Sequence, residues 1–196
     1  MAVLGGSAMA HGARRRWIDR LAALSAGTLA AFMPVLSAGA DEAPLEYAVK
    51  ATYLYKFAPF VTWPPSIAQK ATFDLCLSGS DDVTKLAPEA AEGQAVNGKP
   101  LTIRRLAAGE SADTCQILYV APSPTAGLLL DTVRNKPVLT ITEAAATNHG
   151  IIGFTVIQHH VRFDIDNALA KNAGLSISSK LLSLANAVTP VLGEVR

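Results

Sequence analysis

The residues that could carry chemistry in this chain are two cysteines, four histidines and a pair of nearby aspartates. His159 and His160 are adjacent, which suggests a metal site, and His149 is the nearest candidate for a third ligand. Neighbouring side chains diverge in an extended chain, so a solvated turn between two strands explains the histidine pair better. The sequence therefore predicts no metal site.

The other candidates for catalysis have ordinary explanations. Asp164 and Asp166 can act as an acid pair, but the exposed face of a strand explains them equally well. Ser179-Lys180 is not the S-x-x-K of serine acyl enzymes, because Ile177 stands where that serine would be. Neither a Ser-His-Asp arrangement nor a nucleotide-binding glycine motif is found. We predict no catalytic residue, no cofactor and no enzymatic activity.

Residues 1–40 have the composition of an export signal. Four arginines lie between positions 14 and 20, an uncharged apolar run from Leu21 to Leu36 follows, and Ala38-Gly39-Ala40 offers small residues before a cleavage point. The apolar run is shorter than the roughly 20 residues that a membrane helix needs. We expect cleavage near Ala40 and a periplasmic protein, exported by general secretion rather than by the twin-arginine route that the arginines also suggest.

Export leaves residues 41–196 as one domain, by length able to bury roughly two-thirds of its unfolded surface. These residues contain 13 basic and 15 acidic side chains, a net charge of −2. A near-neutral chain lacks the basic field that nucleic-acid binding requires. We therefore expect no nucleic-acid partner.

Two cysteines, Cys76 and Cys115, remain after export. In an oxidising compartment an even pair suggests a disulfide. Such a bond would close a loop of about 39 residues and stabilise the fold by up to about 4 kcal/mol in the chain-entropy model. The alternative is two separate buried thiols, because cysteine is often a core residue.

The segment from Leu45 to Pro65 is predicted to form a buried helix followed by an extended stretch. Apolar residues recur at helical spacing along it and cover most of its sides: Tyr47, Val49, Ala51, Tyr53, Leu54, Phe57, Ala58, Phe60 and Val61. Glu46 precedes Lys50 by four residues, the spacing of a helical ion pair. Pro59 cannot donate to the helix, so we expect the helix to end near Phe57.

Strand and helix signals alternate after that segment. Alternating apolar residues predict strands that begin near Phe73, Leu101, Gln116, Val138, Ile152 and Val161. Asn97-Gly98 predicts a tight turn, and Gln158-His159-His160 occupies the turn of a hairpin. A short helix from Asp82 is expected to be interrupted by Pro88, and another follows Pro122 and Pro124.

Three helices are predicted before and after the hairpin in the last part of the chain. Short helices are expected over Ala144–Asn148 and Asn167–Gly174, and a final helix from about Ser178 to Val188. Ser178 or Ser179 can cap the final helix. Its apolar residues form a stripe at helical spacing that needs a surface to pack on: Ile177, Leu181, Leu184, Ala185 and Val188.

Four stretches of the chain resemble the YfiR family, in the same order. The first runs from Tyr47 to Pro64 and reads YAVKATYLYKFAPFVTWP. The others are VNGKPL at residues 96–101, CQILYV at residues 115–120 and AGLSISSKLL at residues 173–182. Together they span nearly all of residues 41–196, and on them the chain is identified as a member of that family.

The resemblance implies a regulator. Proteins of this kind bind the periplasmic sensor domain of a membrane-bound diguanylate cyclase and repress it, which keeps cyclic-di-GMP low and biofilm formation off. It further implies an α/β fold, a single-domain sandwich with a central mixed β-sheet flanked by helices, and a homodimer. Cys76 and Cys115 match positions at which the family can form a redox-responsive disulfide. Some members of the family have a second disulfide nearer the C-terminus, and this chain lacks the cysteines for it.

The partner is expected to contact aromatic and apolar side chains at the rim of the first or last helix. Tyr53, Lys56 and Trp63 are the candidates for this contact. On this hypothesis, reduction of Cys76–Cys115 loosens the sheet and releases the repressor. The alternative function is a periplasmic small-ligand-binding accessory of a sensor kinase or an outer-membrane receptor.

Overall fold

The computed structural model describes residues 42–146 and 148–191. The predicted export signal, residues 1–40, lies outside the described residues. The helices are α1 (Glu42–Lys56), α2 (Pro65–Ala68), α3 (Asp82–Ala91), α4 (Ala126–Val133), α5 (Asn167–Asn172) and α6 (Ser179–Leu182). The strands are β1 (Val61–Thr62), β2 (Phe73–Ser78), β3 (Ala95–Val96), β4 (Lys99–Arg105), β5 (Ile117–Val120), β6 (Leu139–Glu143), β7 (Ile152–Ile157), β8 (His160–Asp166), β9 (Ser176–Ile177) and β10 (Ala187–Thr189).

An eight-stranded mixed sheet forms the centre of the domain, in the order β10-β8-β7-β6-β5-β2-β4-β3. The five strands from β4 to β7 in that order are parallel, while β3 and β8 run antiparallel to their inner neighbours. Strands β1 and β9 form a separate two-stranded ribbon. The predicted α/β sandwich with a central mixed sheet is confirmed.

Side chains alternate between the two faces of the sheet, and both faces are covered. Leu75 and Leu77 of β2 belong to a large core that includes α1 and α3, whereas Cys76 belongs to a second core with Leu130 and Val133 of α4. Burial on both faces is usual for parallel strands. Nowhere in the described ranges is a helix both long and apolar enough to cross a membrane.

Helix α1 is the buried helix that the sequence predicts. Ala51 and Leu54 are almost fully buried, and the helix ends at Lys56. A 3-10 turn over Ala58–Phe60 follows, so the chain changes course where Pro59 was expected to end the helix. Lys50 Nζ lies 2.7 Å from Glu46 Oε1, which confirms the predicted ion pair.

Helix α3 passes through Pro88, contrary to the prediction that this proline would interrupt it. Pro88 has no N–H, so the carbonyl of Thr84 lacks its helical donor. The Arg105 guanidinium donates to that carbonyl at 2.6 Å and replaces the missing bond. At the other end Asp81 caps the helix by accepting from the Thr84 N–H at 2.8 Å.

The connection between β6 and β7 contains a turn at Ala144 and Ala145, and the helix predicted over Ala144–Asn148 is wrong. The connection is short for a parallel pair, and it runs close against β6. The N–H of Gly150 donates to Thr142 Oγ1 at 3.0 Å, and a Cβ on Gly150 would lie 2.7 Å from the carbonyl oxygen of Thr140. Threonine side chains thus satisfy backbone donors that a helix would have satisfied internally.

The prediction of a long final helix is also wrong. Helix α6 is capped by Ser178 as predicted, but it ends at Leu182, and Ala187–Thr189 pairs with β8 as the parallel edge strand β10. The backbone N–H of Asn186 donates to the carbonyl of Phe163 at 2.8 Å. Pairing with the free edge of β8 satisfies the backbone N–H and C=O groups of this segment. Apolar periodicity gives no information about such pairing, and the segment forms a strand instead of the predicted helix.

Both predicted hairpin turns are confirmed. Asn97-Gly98 joins β3 to β4 with positive φ at both residues, 51° and 79°. Gln158-His159 joins β7 to β8 in the same way, with φ of 50° and 61°. Positive φ at both central residues is the geometry of the type I′ turn, which matches the twist of the flanking strands. His160 is the first residue of β8.

Cys76 and Cys115 form a disulfide, with their Cα atoms 5.9 Å apart. Cys76 lies in β2, and Cys115 lies two residues before the neighbouring strand β5. Both residues are fully buried. The bond therefore ties two adjacent parallel strands together beneath α4.

Candidate functional site

The residues first considered for catalysis have structural roles. Asp166 accepts from the Leu169 N–H at 2.8 Å and caps α5, and it also lies 3.4 Å from His149 Nε2. Asp164 accepts from the Asn186 side chain at 2.8 Å. Within residues 42–146 and 148–191, no three histidine, cysteine, aspartate or glutamate side chains come together as a possible metal site.

A surface groove with partly exposed apolar walls lies between α1 and the β7–β8 hairpin, with a volume of about 370 Å³. We call it the hairpin groove. It is lined by Leu45, Glu46, Val49, Tyr53, Val156, His159, His160, Val161 and Arg162.

The helical wall of the groove follows from residue spacing in α1. Leu45, Val49 and Tyr53 are separated by four residues each, so they lie above one another on one side of the helix. Leu45 is 67 % exposed, whereas Val49 and Tyr53 are partly buried. The opposite side of α1, with Ala51 and Leu54, packs in the core.

The hairpin wall continues an apolar face of the sheet beyond the core. Phe154 of β7 pairs with Phe163 of β8, and both are buried. Two residues nearer the turn, Val156 pairs with Val161 on the same face. Val156 is nevertheless 43 % exposed. The hairpin therefore carries apolar surface that the described part of the chain leaves uncovered.

A buried lysine anchors α1 to the sheet next to the groove. Lys50 is only 3 % exposed, and its Nζ donates to Glu143 Oε1 and Oε2 at 3.0 and 2.9 Å as well as contacting Glu46. Glu143 is the last residue of β6 and Glu46 lines the groove. Lys50, Glu46 and Glu143, which we call the ion triad, therefore fix the position of the helical wall relative to the sheet.

The pKa values of the triad have opposing causes. Burial by itself lowers the pKa of Lys50, but hydrogen bonds and charge from Glu143 and Glu46 outweigh it and hold the pKa above the ordinary value. Burial raises the pKa of Glu143, and Lys50 offsets only part of that rise. At neutral pH the lysine therefore stays charged in spite of its burial.

The three contact residues predicted from the sequence lie in different surroundings. Tyr53 lines the hairpin groove. Lys56 is exposed at the end of α1, with its Nζ 5.0 Å from the centre of the Tyr55 ring. Trp63 is only 8 % exposed and packs edge-on against Phe73, with ring centres 5.3 Å apart. As contact residues, all three stay predictions.

Sequence reasoning missed Leu45 and the Val156–Val161 pair as members of one surface. The i, i+4 spacing of Leu45, Val49 and Tyr53 was available as a signal, but an apolar stripe of that kind is usually core. Only the position of α1 relative to the hairpin shows that this stripe reaches the surface.

The hairpin groove is suited to protein binding. Its walls are apolar, and its rim carries Glu46, Arg162 and two histidines. A central apolar cleft with a polar rim is the usual arrangement of a contact surface, in which one apolar or aromatic side chain of the partner is buried.

The family model described as YfiR/HmsC-like matches residues 47–186 of the chain. That range contains the hairpin wall of the groove and most of its helical wall. Proteins of this family act as regulators in cyclic-di-GMP signalling. A search of curated proteins found no match to the chain.

Proposed function

Because the chain belongs to the YfiR/HmsC-like family, we propose that it is a periplasmic repressor of a membrane-bound diguanylate cyclase. It binds the periplasmic sensor domain of the cyclase, holds that domain in its inactive arrangement and catalyses no reaction itself. The observation that supports direct binding is the hairpin groove, whose apolar walls are exposed at Leu45 and Val156.

Repression of this kind requires different affinities for two states of the partner. Moving an equilibrium between two states from 1:99 to 99:1 takes a difference of about 5.5 kcal/mol between the binding free energies for the two states. A single well-buried anchor residue at a contact surface supplies about 2 kcal/mol or more. An apolar side chain of the sensor domain, seated between α1 and the hairpin, therefore provides a large part of the required difference.

We further propose a homodimer, which sedimentation of the purified protein tests directly, and redox control through Cys76–Cys115. Both cysteines are fully buried, so a reductant reaches the bond only when the region around β2 and β5 opens locally. Redox control therefore acts through loss of local stability and not through rapid exchange on the folded surface.

Replacing Leu45 or Val156 with glutamate should weaken binding to the sensor domain about 30-fold or more. Each change puts a carboxylate where an apolar partner side chain must be desolvated, a cost of about 2 kcal/mol or more. Both residues are exposed, so the fold should be unaffected. Titration of the purified protein with the periplasmic sensor domain of the proposed partner cyclase measures the effect.

Leu128→Glu is the matched control for this prediction. Leu128 of α4 is 69 % exposed, against 67 % for Leu45, and it lies outside the groove. This variant should bind as the unmodified protein does. Equal affinities for Leu45→Glu, Val156→Glu and the unmodified protein would rule out the groove as the contact surface.

The second candidate function is a small-ligand-binding accessory of a sensor kinase or an outer-membrane receptor. It is favoured by a separate cavity of about 430 Å³ that Trp63 lines. A neighbouring gene for a kinase or receptor, together with no binding to any cyclase sensor domain, would support this candidate over repression.

A further inference from the structure

A second cavity lies between the segment that follows α1 and the β3–β4 hairpin. We call it the tryptophan cavity, and the residues that matter for its chemistry are Trp63, Ile67, Phe73, Val96, Lys99 and Gln116. Its volume of about 430 Å³ falls in the range of small-molecule sites. Parts of two stretches that resemble the YfiR family meet here, the end of the first (Val61 to Trp63) and the start of VNGKPL (Val96 to Lys99).

The polar groups of the cavity are mainly donors. Lys99 is the one charged side chain among the described residues that line it. Lys99 Nζ donates to the carbonyl of Ala68, and no carboxylate in the described residues forms an ion pair with it. An ammonium group with no opposing charge beside an enclosed space favours an anionic ligand.

Gln116 adds an oriented donor. It is 2 % exposed, and its Oε1 accepts from the Asp74 N–H at 2.7 Å. Because the oxygen is held by that bond, the NH₂ group is the part of the amide that remains to bind a ligand.

Trp63 supplies an unsatisfied donor in the same wall. Its residue is more than nine-tenths buried, and Nε1 has no hydrogen-bond partner within the described residues. A buried N–H without an acceptor is unfavourable, and such groups are rare in folded proteins. Because this N–H is itself fully buried, a carboxylate in the cavity accepts from it only when binding rotates the indole ring.

We propose that the tryptophan cavity binds a small organic carboxylate with an apolar body. The carboxylate contacts Lys99 and accepts from the Gln116 amide and the Trp63 indole, while Ile67, Phe73 and Val96 enclose the apolar part. Three donors with no acceptor carboxylate nearby distinguish this ligand from a cation, and the apolar wall distinguishes it from inorganic phosphate. This site is separate from the hairpin groove and does not depend on the proposed repression.

Tryptophan fluorescence tests the proposal directly, because the chain has two tryptophans, Trp17 and Trp63. In a Trp17→Phe background, Trp63 reports alone. Phenylacetate and hexanoate should each change its emission saturably, with excitation at a wavelength at which neither probe absorbs. Phenylacetamide, which keeps the shape and lacks the charge, should bind at least about tenfold more weakly, since a charge-assisted bond is lost.

Two variants separate binding from folding. Lys99→Gln should weaken phenylacetate binding at least about tenfold and leave the melting temperature unchanged. Trp63→Phe, followed by calorimetry on the folded variant, should also bind more weakly, and removal of the unsatisfied donor should offset part of the packing lost with the larger ring. Lys85→Gln, an exposed lysine outside the cavity, is the control and should bind normally.

Three results would overturn the proposal. They are the absence of saturable binding of either carboxylate to the folded protein, equal affinity for phenylacetate and phenylacetamide, and undiminished binding in Lys99→Gln. The sensor domain takes no part in these titrations, so their failure is distinct from failure of the proposed repression.

Discussion

Replacing Cys76 and Cys115 together with serine should lower the free energy of unfolding by about 4 kcal/mol. The bond closes a loop of 39 residues, and loss of that constraint stabilises the unfolded chain by about this amount in the chain-entropy model. Each kcal/mol corresponds to about 2–4 °C in a domain of this size, so the melting temperature should fall by about 10 °C. Thermal unfolding in oxidising buffer measures the change.

The double alanine variant is the matched control for this prediction. Both cysteines are fully buried, so serine adds hydroxyl groups without partners, whereas alanine does not. The double alanine variant should therefore lose less free energy of unfolding than the double serine variant. Reductant should lower the melting temperature of the unmodified protein and leave that of both variants unchanged. Unchanged melting and unchanged repression by the double serine variant would show that the bond neither supports the fold nor acts as a switch.

Lys50→Met should lower the free energy of unfolding by about 3 kcal/mol at neutral pH. Removing one partner from a buried ion pair typically costs about 3–5 kcal/mol, and the partial exposure of Glu46 and Glu143 reduces this figure. The variant leaves two carboxylates near each other without their shared ammonium group. Denaturant unfolding at several pH values measures the effect.

The deficit of Lys50→Met should shrink as the pH is lowered toward 4.5. Burial already raises the pKa of Glu143 above its ordinary value of 4.5, and loss of Lys50 raises it further. A carboxyl whose pKa is higher in the folded state binds more protons when folded, so stability falls as the pH rises through that range. Adding Glu143→Met should restore most of the stability at pH 7, and a deficit independent of pH would contradict this explanation.

In the unmodified protein the stabilisation that Lys50 contributes should be present at neutral pH and lost in alkaline solution. The pKa of Lys50 is raised above 10.5 in the folded state. A cationic group with a raised pKa contributes its full stabilisation below the unfolded value and loses it above the folded one. The position of α1 beside the hairpin groove is therefore maintained across the physiological pH range.

Local residue chemistry made several parts of the fold predictable. The turn at Asn97-Gly98 has a sequence that tolerates positive φ, whereas the turn at Gln158-His159 was predicted from the apolar strands on either side of it. The end of α1 follows from Pro59, and its ion pair follows from the spacing of Glu46 and Lys50. In each case the deciding interaction lies within a few residues of the signal.

The errors have one physical cause, which is that distant partners decide the local structure. Leu184 and Val188 fit a helical stripe, but the free edge of β8 draws Ala187–Thr189 into the sheet. Pro88 is tolerated because Arg105, seventeen residues later, donates to the Thr84 carbonyl that the proline leaves without a helical donor. A turn at Ala144 and Ala145 replaces the predicted helix over Ala144–Asn148, and threonines of β6 accept from the N–H groups of Gly150 and Ile151 that follow it.

In the candidate site, too, some residues have a local sequence signal and others depend on distant packing. Tyr53 was predicted as a contact residue from its residue type and its place on α1; it lines the groove, and as a contact residue it stays a prediction. Val156 carries no signal of its own, because alternating apolar residues in a hairpin usually face the core. The groove lies between α1 and a hairpin that is distant in sequence, so its presence depends on how these elements pack.

The most direct test of the proposed repression is the cyclic-di-GMP content of cells that lack this gene and carry a plasmid-borne copy. The proposal predicts a high content without the protein, a low content with the unmodified protein or Leu128→Glu, and a high content with Leu45→Glu/Val156→Glu present at equal abundance. A deletion that leaves cyclic-di-GMP unchanged, or a groove variant that restores the low content, would contradict it.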